Sequence, residues 1–311
     1  MRATFIRTLA DLAARDPRII LLTGDLGYQV IEPFADRFPD RFINVGVAEQ
    51  NMVGIATGLA EAGFIPFCYS IGTFASLRPY EFIRNGPILH GLRVRIVGVG
   101  AGFDYGVNGM THYALEDIGM MRIQPGMTVV APADYEQTRE SLLATWDLAR
   151  PIYYRLGKDE QTKVPGLNGG FALGRAQLVR QGEDLILVAT GSVASEATAA
   201  AESLAAQDIS AAVAVVASFN PSPTDDLASL LAQFPLAMSV EAHYVVGGLG
   251  SLISEVIADR GLACRLVRCG VQSTPHGIAG SQRFLHELHG ISAAKLSDTA
   301  VQLLREATAP A

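Results

Sequence analysis

Glu49 opens the run Glu49-Gln-Asn-Met-Val-Gly54-Ile-Ala-Thr-Gly58, directly after Asn44-Val-Gly46-Val-Ala48. A carboxyl in such a place can move or share a proton, or it can simply start the helix that follows. Asp25 stands behind Gly24 at the end of an apolar run. His112 closes the loop Gly106-Val-Asn108-Gly-Met110-Thr111-His112, and imidazole both donates to and accepts from oxygen near neutral pH. Phe74 and Tyr80 lie in one segment, Thr73-Phe74-Ala-Ser-Leu77-Arg78-Pro-Tyr80, and aromatic faces stack on flat rings. Arg155, in Pro151-Ile-Tyr-Tyr-Arg155, is of the type that grips phosphate or carboxylate. Each residue taken singly has a plain reading: a helix start, a core aromatic, a solvated loop histidine. Their combination in strand, turn and helix contexts is what gives the chemistry weight.

Other motifs point elsewhere and fail on spacing. Gly247-Gly248-Leu-Gly250-Ser251 resembles a dinucleotide-binding turn, but Ile253 stands where the third glycine belongs. His286 and His289 are three residues apart, without the spacing of a metalloprotease helix, so no metal site is expected there. No Gly-x-Ser-x-Gly elbow is present.

These residues need a scaffold, and the apolar pattern supplies one. Strand-length runs at 19–22, 65–69, 94–99 and 128–131 alternate with helical stretches at 50–62, 77–89 and 135–149. A second set has strands at 185–189, 211–216, 236–240 and 264–269, with helices at 194–207, 224–233 and 251–259. Such alternation predicts an α/β fold of two domains with parallel-sheet cores, each sheet covered on both faces. The stretch 158–170 has Gly, Pro, Asn and no apolar period, and reads as a linker between domains at 1–157 and 171–311.

Composition narrows the function. A chain of 311 residues, 49% hydrophobic, can bury two cores of ordinary size. A formal net charge of −7 leaves no basic footprint for nucleic acid or an anionic membrane. Three scattered cysteines form neither a disulfide framework nor a zinc cluster, which predicts a reducing, cytoplasmic location. No apolar run approaches the roughly 18 residues of a membrane span.

The segments Gly24-Asp25 and Asn44 through Gly63 together resemble the pyrimidine-binding domain of the transketolase and deoxyxylulose-phosphate synthase superfamily. There, an Asn-x-Gly-Val-x-Glu strand and helix brings a glutamate to thiamine diphosphate. The resemblance implies that Glu49 activates the cofactor by sharing a proton at its pyrimidine nitrogen. It also implies that Asp25 lies beside the cofactor and that Phe74 and Tyr80 pack its ring. Thr111-His112 matches the family's Thr-His pair, so His112, with Asn108 in the same loop, is expected at the substrate. Arg155 matches the arginine that holds a sugar phosphate. There are departures: Asn108 and Met110 replace an aspartate and a proline, Leu77 an aromatic, and Gly100 a histidine.

The family's Mg²⁺ and diphosphate motif, Gly-Asp-Gly followed by Asn, has no counterpart in this sequence. The resemblance covers the second and third domains of a transketolase over nearly the whole chain. It therefore implies the C-terminal half of a split transketolase, transferring a two-carbon ketol unit between sugars or sugar phosphates. The Mg²⁺ ligands would sit on a separate N-terminal, diphosphate-binding transketolase subunit. Homodimerisation and an α₂β₂ heterotetramer follow from the family's two-fold arrangement. Other readings are a deoxyxylulose-phosphate-synthase-like subunit, a 2-oxo acid dehydrogenase beta-type subunit and, from another class, a non-catalytic homologue.

Overall fold

The computed structural model describes residues 1–308, and its strands are β1 (Ile19–Thr23), β2 (Phe42–Asn44), β3 (Ile65–Ile71), β4 (Arg95–Val99), β5 (Thr128–Val130) and β6 (Ile152–Leu156), then β7 (Ala176–Arg180), β8 (Leu185–Ala189), β9 (Ala211–Val216), β10 (Ser218–Asn220), β11 (Leu236–Tyr244) and β12 (Arg265–Val271). They form two sheets, ordered β10-β5-β6-β4-β3-β1-β2 and β12-β11-β8-β9-β7. All pairings are parallel except β10 with β5 and β7 with β9, which are antiparallel at the edges. β1, β4, β6 and β8 are buried at every residue. Burial along the whole length, in mostly apolar runs with no regular polar alternation, is what a parallel sheet covered on both faces requires. The charged exceptions, Arg95 on β4 and Arg155 on β6, are buried too.

The two halves are joined more closely than a tether implies. β10 comes from the second half of the chain but completes the first sheet, with Ser218 opposite Val130. One apolar core runs across the seam, from Met52 and Met121 to Phe219 and Leu252. The stretch 158–170 is itself packed. Val164 and Leu167 are buried, and the Val164 amide donates to Asp134 Oδ2 at 3.1 Å. Polar composition hid these contacts because only a few of its side chains turn inward.

The expected helix over 77–89 is instead broken. Gly72–Ser76 and Tyr80–Ile83 are helical, and a wider turn at Arg84–Ile88 contains Pro87. Pro79, the residue before Tyr80, has no amide hydrogen to give, so the helix restarts there. The break leaves Arg78 between the two helical segments, four residues after Phe74. Among the described residues, no helix is long and apolar enough to cross a membrane.

Candidate functional site

The site lies at the carboxyl ends of β1, β2 and β3, where parallel sheets commonly place ligands. After β1 the chain turns through Gly24 and Asp25, the latter with φ 58°, and after β2 through Gly46 with φ 73°. The helix Glu49–Glu61 starts from that turn. Its first residue is only 2% exposed. Two donors reach it: Ser70 Oγ on β3 donates to Glu49 Oε1 at 2.9 Å, and Arg78 Nη1 to Oε2 at 2.8 Å. Gly24 lies close against the carboxyl, since a Cβ there would stand 3.3 Å from Oε1. The positive end of the helix dipole also favours a carboxylate at this position.

Asp25 is exposed and tied into the same rim. Its Oδ1 accepts from Tyr28 and from Asn44 Nδ2, both at 2.9 Å. Asn44 in turn accepts from the Gly46 amide at 3.0 Å, which pins the turn ahead of Glu49. The hydrogen bond from Asn44, then that from Tyr28, holds the Asp25 carboxyl below its ordinary range.

Beyond Glu49 the structure strings cationic and aromatic groups together. The Arg78 guanidinium carbon lies 4.0 Å from the Phe74 ring centroid. The His112 ring meets Phe74 edge-on, with centroids 5.2 Å apart. Thr111 Oγ1 and His112 Nδ1 are 2.9 Å apart, which occupies that ring nitrogen. Tyr105 is the next ring, 6.3 Å from His112, and Lys158 Nζ stands 4.2 Å above it. Gly100 has φ +85°, and a Cβ on it would lie 2.0 Å from Tyr105 Cε2. Tyr105 thus fills the space beside the position where a histidine was expected, and only glycine fits under it.

Two expected site residues are engaged inside the fold. The Tyr80 hydroxyl donates to the Met120 carbonyl at 2.9 Å and accepts from Gln124 Nε2 at 2.6 Å. Arg155 is 2% exposed; its Nε donates to Asp117 Oδ2 at 2.8 Å, and its Nη2 to the carbonyls of Ala114 and Ala242, both at 2.9 Å. It therefore ties the loop bearing His112 to β11 across the seam. Asn108 is exposed on the turn Gly106–Asn108, in the same loop as His112. Ser70, Arg78, Tyr105 and Lys158, which contact or continue this row, were not among the residues expected there. A serine in the otherwise apolar run of β3, and a cation between Phe74 and Tyr80, were the available signals.

The Gly247-Gly248-Leu249-Gly250 turn is explained by a buried carboxylate. Glu241 on β11 accepts from the amides of Leu249 and Gly250, at 2.7 and 2.8 Å, capping the helix Leu249–Arg260. A Cβ on Gly248 would fall 2.0 Å from Glu241 Oε2, so the close approach needs glycine. His243 accepts from the Gly119 amide through Nε2 at 3.2 Å, and burial lowers its pKa.

Burial pushes the Glu241 carboxyl up to about 7, against an ordinary value of 4.5. The folded chain then holds a proton that the unfolded chain has released between these two values. Its contribution is present below the lower value and is lost as pH rises through the upper one, to the extent of about 3 kcal/mol. Denaturation across that window should show the wild type losing stability faster with rising pH than Glu241→Gln. Parallel profiles for the two proteins would reject this.

Residues 1–162 match the family model of the transketolase pyrimidine binding domain, and residues 174–296 that of the transketolase C-terminal domain. A component of the 6-deoxy-6-sulfo-D-fructose transketolase of Clostridium sp. strain MSTE9 is 35% identical over 297 residues, covering 95% of this chain and 92% of that protein. A component of the apulose-4-phosphate transketolase of Actinobacillus succinogenes is 33% identical over 273 residues, covering 88% of each. Among solved structures, a split-gene transketolase in an inactive beta4 tetramer superposes with a TM-score of 0.88 at 32% identity, over 98% of both chains.

Proposed function

Because the chain belongs to the transketolase family, we propose that it is the pyrimidine-binding and C-terminal half of a split, thiamine-diphosphate-dependent transketolase. In this reading it moves a two-carbon ketol unit between sugars when joined to a diphosphate-binding subunit. The observation that carries it is the setting of Glu49, a residue 2% exposed, closely approached by Gly24 and neighboured through Arg78 by the Phe74 face. One acceptor and one flat apolar face are what an aminopyrimidine ring asks for, so the residues present fit that group.

What the cofactor supplies when bound is a nucleophilic carbon able to take up and pass on the ketol unit. The chain's own residues do the rest. Glu49 holds a proton at the ring nitrogen, with Ser70 fixing the carboxyl from below. Phe74 packs the ring face and excludes water, and Asp25 lines the rim. His112, with Nδ1 engaged by Thr111, offers its other nitrogen to a substrate oxygen. Tyr80 and Arg155 act through the elements they anchor. The relatives named above act on a sulfo-sugar and a sugar phosphate, both anionic at one end. Lys158, at the far end of the aromatic row, is the cation suited to such a tail in place of Arg155. The three cysteines are free and buried, which suits a reducing compartment such as the cytoplasm.

No Gly-Asp-Gly and Asn pair is present to hold Mg²⁺ and the diphosphate, so those ligands belong to the partner. The expected assembly is an α₂β₂ heterotetramer, with the chain self-associating when alone. Reconstitution tests the whole reading. Calorimetry should detect no tight, Mg²⁺-dependent thiamine diphosphate binding by the isolated chain. Adding the partner should restore binding and ketol transfer, and light scattering should show a 2:2 mass. Tight binding by the chain alone, or a monomer in the active mixture, would sink the proposal.

A further inference from the structure

Arg78 makes both its polar contact and its stacking contact with groups assigned above to the cofactor ring. Nη1 donates to Glu49 Oε2 at 2.8 Å, and the guanidinium carbon stands 4.0 Å from the Phe74 centroid. A guanidinium is flat, bears N–H groups in its plane, pairs with carboxylates and stacks on aromatic faces. In shape and hydrogen bonding it is a partial copy of one edge of an aminopyrimidine. Ser70 already takes Glu49 Oε1, so Oε2 is the oxygen left for a ligand, and Arg78 holds it. The guanidinium and a stacked ring cannot use that oxygen and that face together.

We propose that Arg78 is a gate on the ring subsite, occupying it in the free chain and swinging out when the ring enters. This rests on the transketolase reading of the site. The side chain is able to move, being 44% exposed between two short helical segments, just ahead of Pro79, while that of Glu49 is 1% exposed. Its resting position also gives the buried Glu49 carboxylate a partner, which a carboxylate in so enclosed a place needs. The alternation between two partners explains why a cation lies within reach of a carboxyl that must serve a ring nitrogen.

The test uses the full-length chain and the free aminopyrimidine fragment of thiamine, 4-amino-5-hydroxymethyl-2-methylpyrimidine, titrated by NMR. A gate that is closed most of the time weakens apparent affinity by the inverse of its open fraction. Arg78→Ala should therefore bind the fragment at least about fivefold more tightly than the wild type. Arg78→Lys keeps the charge but loses the flat face, and should fall between them. In the wild type the Arg78 Nε–H signal should shift as the fragment binds. Equal or weaker binding by Arg78→Ala, with binding still abolished by Glu49→Gln, overturns the gate and leaves the ring site standing. A fragment that binds no form of the chain overturns both. If Arg78→Ala does not fold, Arg78→Gln, which keeps a planar head without the charge, is read against the same expectation of tighter binding.

Discussion

Glu49→Gln in the assembled enzyme is expected to lower turnover by about three orders of magnitude while the fold survives, the size of effect that loss of a proton-sharing group produces. An amide has the carboxyl's shape but cannot hold and return the proton. The change costs little structure. Ser70 can still donate to the amide oxygen at the Oε1 position, 2.9 Å away in the wild type. The ion pair with Arg78 is lost, but that arginine is 44% exposed, and solvent-screened pairs of this kind contribute at most about 1 kcal/mol. Steady-state rates and thermal melts on the same preparation decide the matter. Activity within about threefold of wild type would make Glu49 a helix-start residue and nothing more.

Asp117→Ala should destabilise the isolated chain by about 3–5 kcal/mol, because it strips the counter-charge from a buried guanidinium. Asp117 and Arg155 are 1% and 2% exposed in their side chains, with Nε and Oδ2 2.8 Å apart. The Tyr153 hydroxyl donates to the same Oδ2 at 2.7 Å, so the substitution orphans a second buried donor. Arg155 also carries the carbonyls of Ala114 and Ala242, and its loosening should reach the loop of His112. Urea denaturation measures the first effect, and the Michaelis constant for substrate in the assembled enzyme the second. A stability loss under about 1 kcal/mol would show that water readily replaces the carboxylate, contrary to so dry a setting.

Much of the scaffold was legible because its signals are local. β8 is an unbroken apolar run and β1 one up to its closing Thr23, and such runs read as buried strands whatever surrounds them. The helix behind Glu49 begins one residue earlier than its apolar pattern suggests, which places Glu49 in its first turn. The break at Pro79 was equally local, yet the apolar spacing of 77–89 outweighed a single proline. β10 escaped notice because three residues, Ser-Phe-Asn, carry no periodicity. Its partner β5 lies far away in sequence.

The sequence by itself determined which segments bear the candidate site residues and in what order: a carboxyl at a helix start, aromatics on the next strand-to-helix turn, and a histidine closing a glycine-rich loop. Those features depend on residue type and on neighbours a few positions away. Only the tertiary structure decided what each side chain touches. Arg155 looked like a substrate ligand by its place in a strand, but its bond to the Ala242 carbonyl spans 87 residues. Arg78 drew no role from its sequence position, yet it reaches Glu49 across 29 residues and lies on Phe74. A guanidinium takes whichever acceptors the packed chain brings within about 3 Å. Which acceptors those are depends on how two sheets and a shared core meet, and no local pattern encodes that meeting.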